Sequence, residues 1–518
     1  MRKDLEQFKE RKAFLDDKNR QQAVAKRHSK GFRMARENIA DLVDEDSFLE
    51  VGSLIVAGQS LRKTEAQLIK ETPADGLVSG LATINKDLFG SENTSCAVLA
   101  YDYTVLAGTQ GGFNHKKTDR LIEMAKNSLS PVVFFVEGGG GRPGDIDFEL
   151  MTNGGLDVST FSTYAGLSGK VPRIAIVNGY CFAGNAAIAG CSDVIIATKK
   201  SNLGMGGPSM IEGGGLGVFA PTQIGDSKSQ YKNGVIDILV EDEAEAVKVA
   251  KQYLSYFQGD LKNWQQGDQS QLNDYLPEDR RFVYNIQKLI KLLADKDSML
   301  ELRAGFATNV VTAFIRIEGK TVGVYANSTQ HLGGAIDSDA ADKLSRFMQL
   351  CNSFGMPLLA LCDTPGFMVG PDCEATAMVR HSARLFTTAA NLKVPLLAVI
   401  LRKAYGLGAM AMCGGSLQNP LFSIAWTTGE FGGMGLEGAV TLGFKKELEA
   451  TANEKERKAL YEELVKKAYD QGKALSAARK LEFDEVIEPK QTRQWLAHAL
   501  NACPKAKIEH SDRFVDCW

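Results

Sequence analysis

Three observations predict that this 518-residue chain folds as α/β in two tandem units. The first is an internal repeat: Val171-Pro-Arg-Ile-Ala-Ile-Val runs into Tyr180-Cys-Phe-Ala-Gly184-Asn185-Ala186, and Val394-Pro-Leu-Leu-Ala-Val-Ile runs into Lys403-Ala-Tyr-Gly-Leu407-Gly408-Ala409. The offset from Val171 to Val394 is 223, and the same offset carries Asn185 onto Gly408 and Ala186 onto Ala409. The second is an upstream pair, Pro131-Val-Val-Phe-Phe-Val-Glu-Gly138 against Pro357-Leu-Leu-Ala-Leu-Cys-Asp363, at an offset of 226. A period this long marks duplicated domains, because solenoid repeats recur every ~20 to 50 residues. The third is that short apolar strands alternate with helix-period stretches in each half.

The elements follow in order. Residues 1 to about 45 are charged and helix-periodic, an arm expected to pack on the body or on a neighbour, which ends where Asp44-Glu45-Asp46 gives way to Phe48-Leu49. From about 76 to 252, strands Ala97 to Ala100, Val132 to Val136, Ile174 to Val177 and Val194 to Ala197 alternate with helical stretches Asp119 to Ser128 and Glu243 to Phe257. Gly259 to Arg281 is polar and turn-rich and reads as a linker, which sets the domains at 1–265 and 280–518. The strands of the second unit begin at about 303 and include Val322 to Ala326, Leu358 to Cys362, Leu396 to Ile400 and Ile424 to Trp426. From about 443, lysine and glutamate at helical spacing predict a solvated or partner-facing helical tail.

Composition removes several function classes. With 60 basic and 63 acidic side chains the formal net charge is −3, so no global field draws the chain to nucleic acid or to an anionic membrane. The nine cysteines form no Cys-x-x-Cys pair, and Cys96, Cys181, Cys191 and Cys362 lie in apolar stretches as small hydrophobes. Neither a disulfide framework nor a metal site is expected. The amino terminus is charged and contains acids, unlike a signal or transit peptide, and no apolar run reaches the ~20 residues of a membrane helix. A soluble cytoplasmic protein is expected.

The common side-chain engines are missing. There is no Gly-x-Ser-x-Gly elbow, no His-Glu-x-x-His and no Walker sequence, and the six histidines carry no flanking catalytic motif. The repeat instead supplies, twice, a strand, a small-residue turn and a helix start, where main-chain N–H groups lack intrahelical partners and can hold an anion. Such donors stabilise a developing oxyanion, and removing one costs about 10²- to 10³-fold in rate. Two turns imply two anions, one at Gly184-Asn185 and one at Leu407-Gly408.

Motifs along nearly the whole chain resemble one family. Ala23-Val-Ala-Lys-Arg-His-Ser-Lys-Gly-Phe-Arg-Met-Ala-Arg36, Asp46-Ser-Phe-Leu-Glu50 and Thr104-Val-Leu-Ala-Gly-Thr-Gln-Gly111 resemble the amino-terminal half of biotin-dependent acyl-CoA carboxyltransferases. Gly319-Lys-Thr-Val-Gly-Val324, Asp363-Thr-Pro-Gly-Phe-Met-Val-Gly370, Arg380-His381-Ser-Ala, Arg402-Lys-Ala-Tyr-Gly406 and Gly433-Met-Gly-Leu-Glu-Gly-Ala439 resemble the carboxyl half. The resemblance implies two tandem crotonase-like domains with flanking helices. Acyl-CoA would bind the first, and carboxybiotin, on a lysine of a partner carrier protein, would enter against the second. In that family carboxybiotin loses CO₂, the biotin enolate takes the α-proton of the acyl thioester, and the thioester enolate attacks the CO₂.

By that resemblance Gly184 and Asn185 form one oxyanion hole, and Leu407 and Gly408 the other. Gly366, Phe367 and Gly370, with Tyr405 and Gly406, match the biotin approach. Gly139, Gly140, Gly141, Arg142 and Ala183 match the acyl-CoA side, and Met410 stands where relatives set acyl length. The implied partners are a biotin carboxylase and a biotin carboxyl carrier protein, separate or fused, and the implied assembly is a hexamer built as a trimer of dimers.

The chain also departs from its family. Many members have Gly-Gly at Gly184-Asn185 and Gly-Gly-Ala at Gly406-Leu407-Gly408, so here a side chain crowds each turn while the N–H survives. Ser-Gly-Gly-Ala-Arg-Ile-Gln-Glu-Gly has become Glu137-Gly-Gly-Gly-Gly-Arg142-Pro-Gly-Asp145. Met410 replaces a frequent Asp, and its flexible thioether suits either a hydrophobic acyl group or core packing. Arg142 either reaches a CoA phosphate or caps its loop. Lys403 either neutralises charge near the second turn or forms a salt bridge. His381 is expected to be packed, and Asp363 and Glu437 to cap helices. The alternative activities are an acyl-CoA decarboxylase subunit and a biotin-independent crotonase-like hydratase or isomerase; the alternative outside catalysis is a scaffold that binds CoA or a biotin carrier.

Overall fold

The computed structural model describes residues 2–142, 144–147, 156–503 and 514–518. The chain divides into a first unit, Met1–Gly259 with His510–Cys517, and a second, Asp260–Glu509 with Trp518.

Each unit is organised around one mixed sheet. In the first, the strand order is Leu49–Glu50, Leu77–Thr83, Ser95–Tyr101, Val132–Phe135, Arg173–Val177, Val194–Thr198, Ile238–Val240. In the second it is Leu300–Leu302, Val310–Ile317, Lys320–Asn327, Leu358–Thr364, Leu396–Tyr405, Phe422–Trp426, Glu485–Ile487. In both, the first three strands pair antiparallel and the rest parallel. The parallel strands read as continuous Val, Ile, Leu and Ala because helices cover both faces. Val132–Phe135, Arg173–Val177 and Val194–Thr198 are buried at every position.

Strand register reproduces the sequence repeat. Ala97 pairs with Val132, and their counterparts at the offset of 226, Gly323 and Leu358, pair with each other. Val132 pairs with Arg173, and Leu358 pairs with Leu396, the counterpart of Arg173 at the offset of 223. The helices Gly112–Ser128 and Ser338–Ser353 start at the first of these offsets. Each carries a buried lysine at the same place, Lys117 and Lys343. Lys117 Nζ donates to Ala74 O and Leu77 O, and Lys343 Nζ donates to Phe306 O and Val310 O, both at 2.8 Å. Burial pushes each ammonium down to about 7.

One expectation is met and one changes. The arm packs on the body: Arg27 forms a buried pair with Glu137, and Asn38 Nδ2 donates to Glu243 at 3.0 Å. The stretch expected as a linker packs into the second unit. Leu272 is fully buried in that unit's core, and Arg493 lies over the Trp264 ring at 5.4 Å. Leu272, with Tyr275 and Leu276 packed against the same core, anchors a segment whose average composition is that of a loop.

Among the described residues no helix is long and apolar enough to cross a membrane. His115, buried in the first unit, contacts Thr160 Oγ1 through Nδ1 at 2.9 Å, and burial holds its pKa below 6.5. The unfolded chain therefore binds a proton at this residue that the folded one resists, so stability is full above pH ~6.5 and is lost as pH falls through the folded pKa. A urea midpoint followed from pH 7.5 to 5 should decline, and His115→Gln should flatten that part of the profile.

Candidate active site

The first turn is built by a conformational cost. After the short strand Tyr180–Phe182, Ala183 adopts φ 52°, ψ −121°, and the helix Gly184–Gly190 begins with no side-chain cap. Positive φ in a residue with a Cβ is strained; here it turns the helix start so that the N–H groups of Gly184 and Asn185 are left for an outside acceptor. Gly184 carries no side chain because a Cβ would stand 2.1 Å from Oε1 of the buried Gln110.

The loop Gly138–Arg142 runs beside this turn. Gly138 N–H donates to Tyr180 O at 2.7 Å, and Phe182 N–H returns to Gly138 O at 2.9 Å. Gln110 then bridges Gly141 in parallel fashion: its N–H donates to Gly140 O, and its carbonyl accepts from Arg142 N–H, each at 2.8 Å. In a parallel bridge the middle residue points its own peptide groups the other way. The exposed Gly141 N–H thus faces away from Gln110.

The second unit repeats this construction. Strand Leu396–Tyr405 pairs over Lys403–Tyr405 with Glu430–Gly432, Gly406 takes φ 57°, and the helix Gly406–Met412 starts without a side-chain cap. Ile336 and Phe367, the counterparts of Gln110 and Gly141 at the offset of 226, form the matching parallel bridge. Ile336 N–H donates to Gly366 O at 3.0 Å, and Met368 N–H donates to Ile336 O at 2.8 Å, which leaves Phe367 N–H on the opposite side. Gly408 lies directly under this loop: a Cβ there would stand 2.6 Å from Gly366 C and 2.9 Å from Phe367 N. Each unit therefore carries two groups of main-chain N–H groups, one in a loop and one at a helix start.

Residues 26–514 match the family model described as the carboxyl transferase domain. The chain belongs to this family. It is 32% identical to the methylmalonyl-CoA carboxyltransferase 12S subunit of Propionibacterium freudenreichii subsp. shermanii, over 96% of this chain and 93% of that one. It is 29% identical to the propionyl-CoA carboxylase beta chain of Roseobacter denitrificans, over 98% and 97%. Among solved structures, a single-chain, multi-domain long-chain acyl-CoA carboxylase matches 96% of this chain at 53% identity and a TM-score of 0.91. This chain spans 49% of that one. The crystal structure of the transcarboxylase 12S hexamer, with methylmalonyl-CoA bound, matches 95% of this chain at 31% identity and a TM-score of 0.81. The protein is a carboxyltransferase with two tandem crotonase-like units.

Within this carboxyl transferase the predicted residues fall into groups. Gly139 is exposed beside the buried Gly140, whose φ of 88° and close approach to Ala183, 2.7 Å from a built Cβ, both require glycine. Asn185 does not crowd its turn: its fully buried amide points into the Gly138–Arg142 loop. Gly366 is buried, the Phe367 ring packs against Phe386, and Gly370 is exposed at the start of the helix Pro371–Glu374. The side chain of Tyr405 turns inward and its hydroxyl donates to Glu430 at 2.9 Å. Leu407 is 62% exposed. Met410, 39% exposed, lines a cavity of about 470 Å³ with Ala404, Ala409, Leu417, Phe431 and Leu436.

The structure decides between the alternatives for Arg142 and Lys403 and corrects Asp363. Arg142 does not face outward: it is buried between Asp75, at 2.5 Å, and Asp145, at 3.1 Å, and also donates to Thr109 O at 2.6 Å. Its charge is consumed inside the fold, where burial raises Asp75 to about 6. Asp363 caps no helix. It is buried and accepts from Arg402, Lys403 and Tyr284. Lys403 takes the salt-bridge option, with Nζ 3.2 Å from Asp363. As expected, His381 is packed, 2.8 Å from Asp342. Glu437, in the first turn of helix Leu436–Gly443, accepts the Tyr469 hydroxyl at 2.5 Å.

Sequence reading missed the pairing of Gly141 with Phe367 as donors. The signal was present: the offset that aligns Pro131 with Pro357 also carries position 141 onto 367.

Proposed function

We propose that the chain is the carboxyltransferase component of a biotin-dependent carboxylase that acts on long-chain acyl-CoA. The carrying observation is that a loop and a helix start with main-chain N–H groups are paired in one design, once per unit, in a carboxyl transferase. Carboxybiotin, delivered by a partner, supplies both the carboxyl group and the base. The chain's own part is then electrostatic. Gly141, Gly184 and Asn185 N–H groups hold the oxygen of the acyl thioester as it gains charge, and Phe367, Leu407 and Gly408 N–H groups hold the ureido oxygen. Preorganised donors of this kind need no reorganisation when charge appears, which is why the strain at Ala183 is tolerated.

The acyl preference rests on the 53% identity to a long-chain acyl-CoA carboxylase. Each methylene that an enzyme buries contributes up to ~0.8 kcal/mol, about fourfold in affinity, so a long-chain enzyme gains with chain length. The first unit serves as the acyl-CoA side and the second as the biotin side. We further propose that a biotin carboxylase with its carrier completes the enzyme in the cytoplasm, and that this chain assembles as a hexamer like the 12S relative.

Incubation with free biotin and α-carboxylated acyl-CoAs of increasing chain length tests these assignments. Biotin-dependent decarboxylation that grows more efficient with chain length is expected. Turnover of enoyl-CoA without biotin would instead identify a hydratase or isomerase. Equal efficiency for acetyl and palmitoyl derivatives would remove the long-chain assignment.

A further inference from the structure

The two donor sites are not built alike at one position. In the second unit the loop Gly366-Phe367 rests directly on Gly408, where even a Cβ would stand 2.6 Å from Gly366 C. In the first unit the equivalent position is Asn185, and its side chain occupies the space between loop and helix. A Cβ built on Gly138 would stand 2.2 Å from Asn185 Nδ2. The amide is fully buried and uses both ends: Oδ1 accepts from Gly140 N–H at 2.9 Å, and Nδ2 donates to Gly108 O at 3.3 Å. The two partners fix its orientation, since Gly140 offers only a donor and Gly108 only an acceptor.

These bonds act on donor geometry. Gly140 N–H immediately precedes Gly141, whose N–H faces out of the Gln110 bridge. Gly108 closes the tight turn Leu106–Gly108, whose residues all have positive φ, that leads into Thr109 and Gln110. Asn185 is itself the second residue of the helix Gly184–Gly190. One side chain thus ties together the loop donor, the bridging segment beneath it and the helix-start donors.

We propose that Asn185 is a positioning residue for the first donor site: its side-chain amide sets the distance and angle between the Gly141 N–H and the N–H groups of Gly184 and Asn185, and so tunes that site for the enolate oxygen of the acyl thioester. The second site, closed by direct backbone contact at Gly408, has no such adjustable spacer. This assignment rests on the oxyanion-hole reading proposed above. A residue that serves only packing would affect ground state and anion alike; one that sets donor geometry affects the anion selectively.

The test uses full-length protein and two CoA derivatives, one with a nitronate in place of the thioester enolate and one with a thioether that lacks the carbonyl. Asn185→Ala is expected to weaken nitronate binding about 10- to 30-fold and to lower kcat for biotin-dependent decarboxylation by a similar factor, with thioether affinity within about twofold. Asn185→Gly is the second variant should Ala unfold, and the same selective loss is expected. Gly141→Pro, which deletes a donor, is the control on the underlying reading. If Gly141→Pro loses nitronate affinity and turnover while the folded Asn185 variants keep both, the positioning role is overturned and the hole stands. If Gly141→Pro also keeps both, the hole itself is overturned. Equal loss of nitronate and thioether affinity in the Asn185 variants assigns the residue to packing and overturns the proposal.

Discussion

Gly408→Ala is expected to lower biotin-dependent decarboxylation about 10²- to 10³-fold while the protein remains folded. The added methyl has nowhere to go. It would stand 2.6 Å from Gly366 C, 2.7 Å from Gly366 Cα and 2.9 Å from Phe367 N, all backbone atoms, so no flexible side chain can give way. The loop is also pinned from behind. Gly366 N–H donates to Thr364 Oγ1 at 3.1 Å, and Ile336 holds Gly366 O and Met368 N–H at 3.0 and 2.8 Å. Relief requires either the loop to rise, taking Phe367 N–H with it, or the helix start to sink, taking Leu407 and Gly408 N–H. Either movement separates the two donor groups that must meet one oxygen. Steady-state kcat with free biotin measures the loss, and thermal unfolding confirms the fold. Gly443→Ala, with open space around the new methyl, is the matched control and should stay within about twofold. Near wild-type turnover in a folded Gly408→Ala protein would show that these peptides do not hold the anion.

What sequence could reveal here follows from what a repeat encodes. Strand–turn–helix units recur because each must bury the same apolar faces, so the offsets of 223 and 226 located both turns without any structure. The strands Leu77–Thr83 and Val310–Ile317 escaped notice because Ser79, Gly80 and Arg316 break their apolar runs. Partnership between charges was not legible. Arg142 follows four glycines and looks free for a ligand, yet Asp75, 67 positions away, claims it. Lys117 and Lys343 sit in charged helical sequence, and only the folded chain shows backbone carbonyls closing around each. Asn185 looked like an intrusion into a glycine turn because sequence shows that a side chain is present and not where it points. Periodicity is a property of neighbours along the chain, whereas satisfaction of a buried polar group depends on whatever tertiary structure brings to it.

Asp363 carries the second large effect, and it explains why Asp-Thr-Pro-Gly-Phe and Arg-Lys-Ala-Tyr-Gly occur together. Its carboxylate is fully buried at the end of strand Leu358–Thr364. Oδ2 accepts from Arg402 Nε at 3.1 Å and from the Tyr284 hydroxyl at 2.9 Å; Oδ1 accepts from Lys403 N–H at 3.1 Å and pairs with its Nζ at 3.2 Å. One carboxylate therefore neutralises two cations, and beside it burial pushes the Tyr284 phenol well above its ordinary value. Asp363→Ala would leave Arg402, 3% exposed, with Phe282 O at 3.0 Å and the face of Tyr284 among the described residues. A buried cation stripped of its partner costs about 3 to 5 kcal/mol, so the urea midpoint should drop sharply. Asp363→Asn keeps the shape but not the charge, and should still lose a substantial part of that amount. Function should suffer in step, because Asp363 lies three residues before Gly366 and Lys403 three before Gly406, so the pair clamps the stems of both donor segments in the second unit. In any fraction of Asp363→Asn that remains folded, turnover with biotin should fall, while the thioether CoA analogue still binds. A variant with an unchanged midpoint and full turnover would show that the two motifs are joined for some reason other than this clamp.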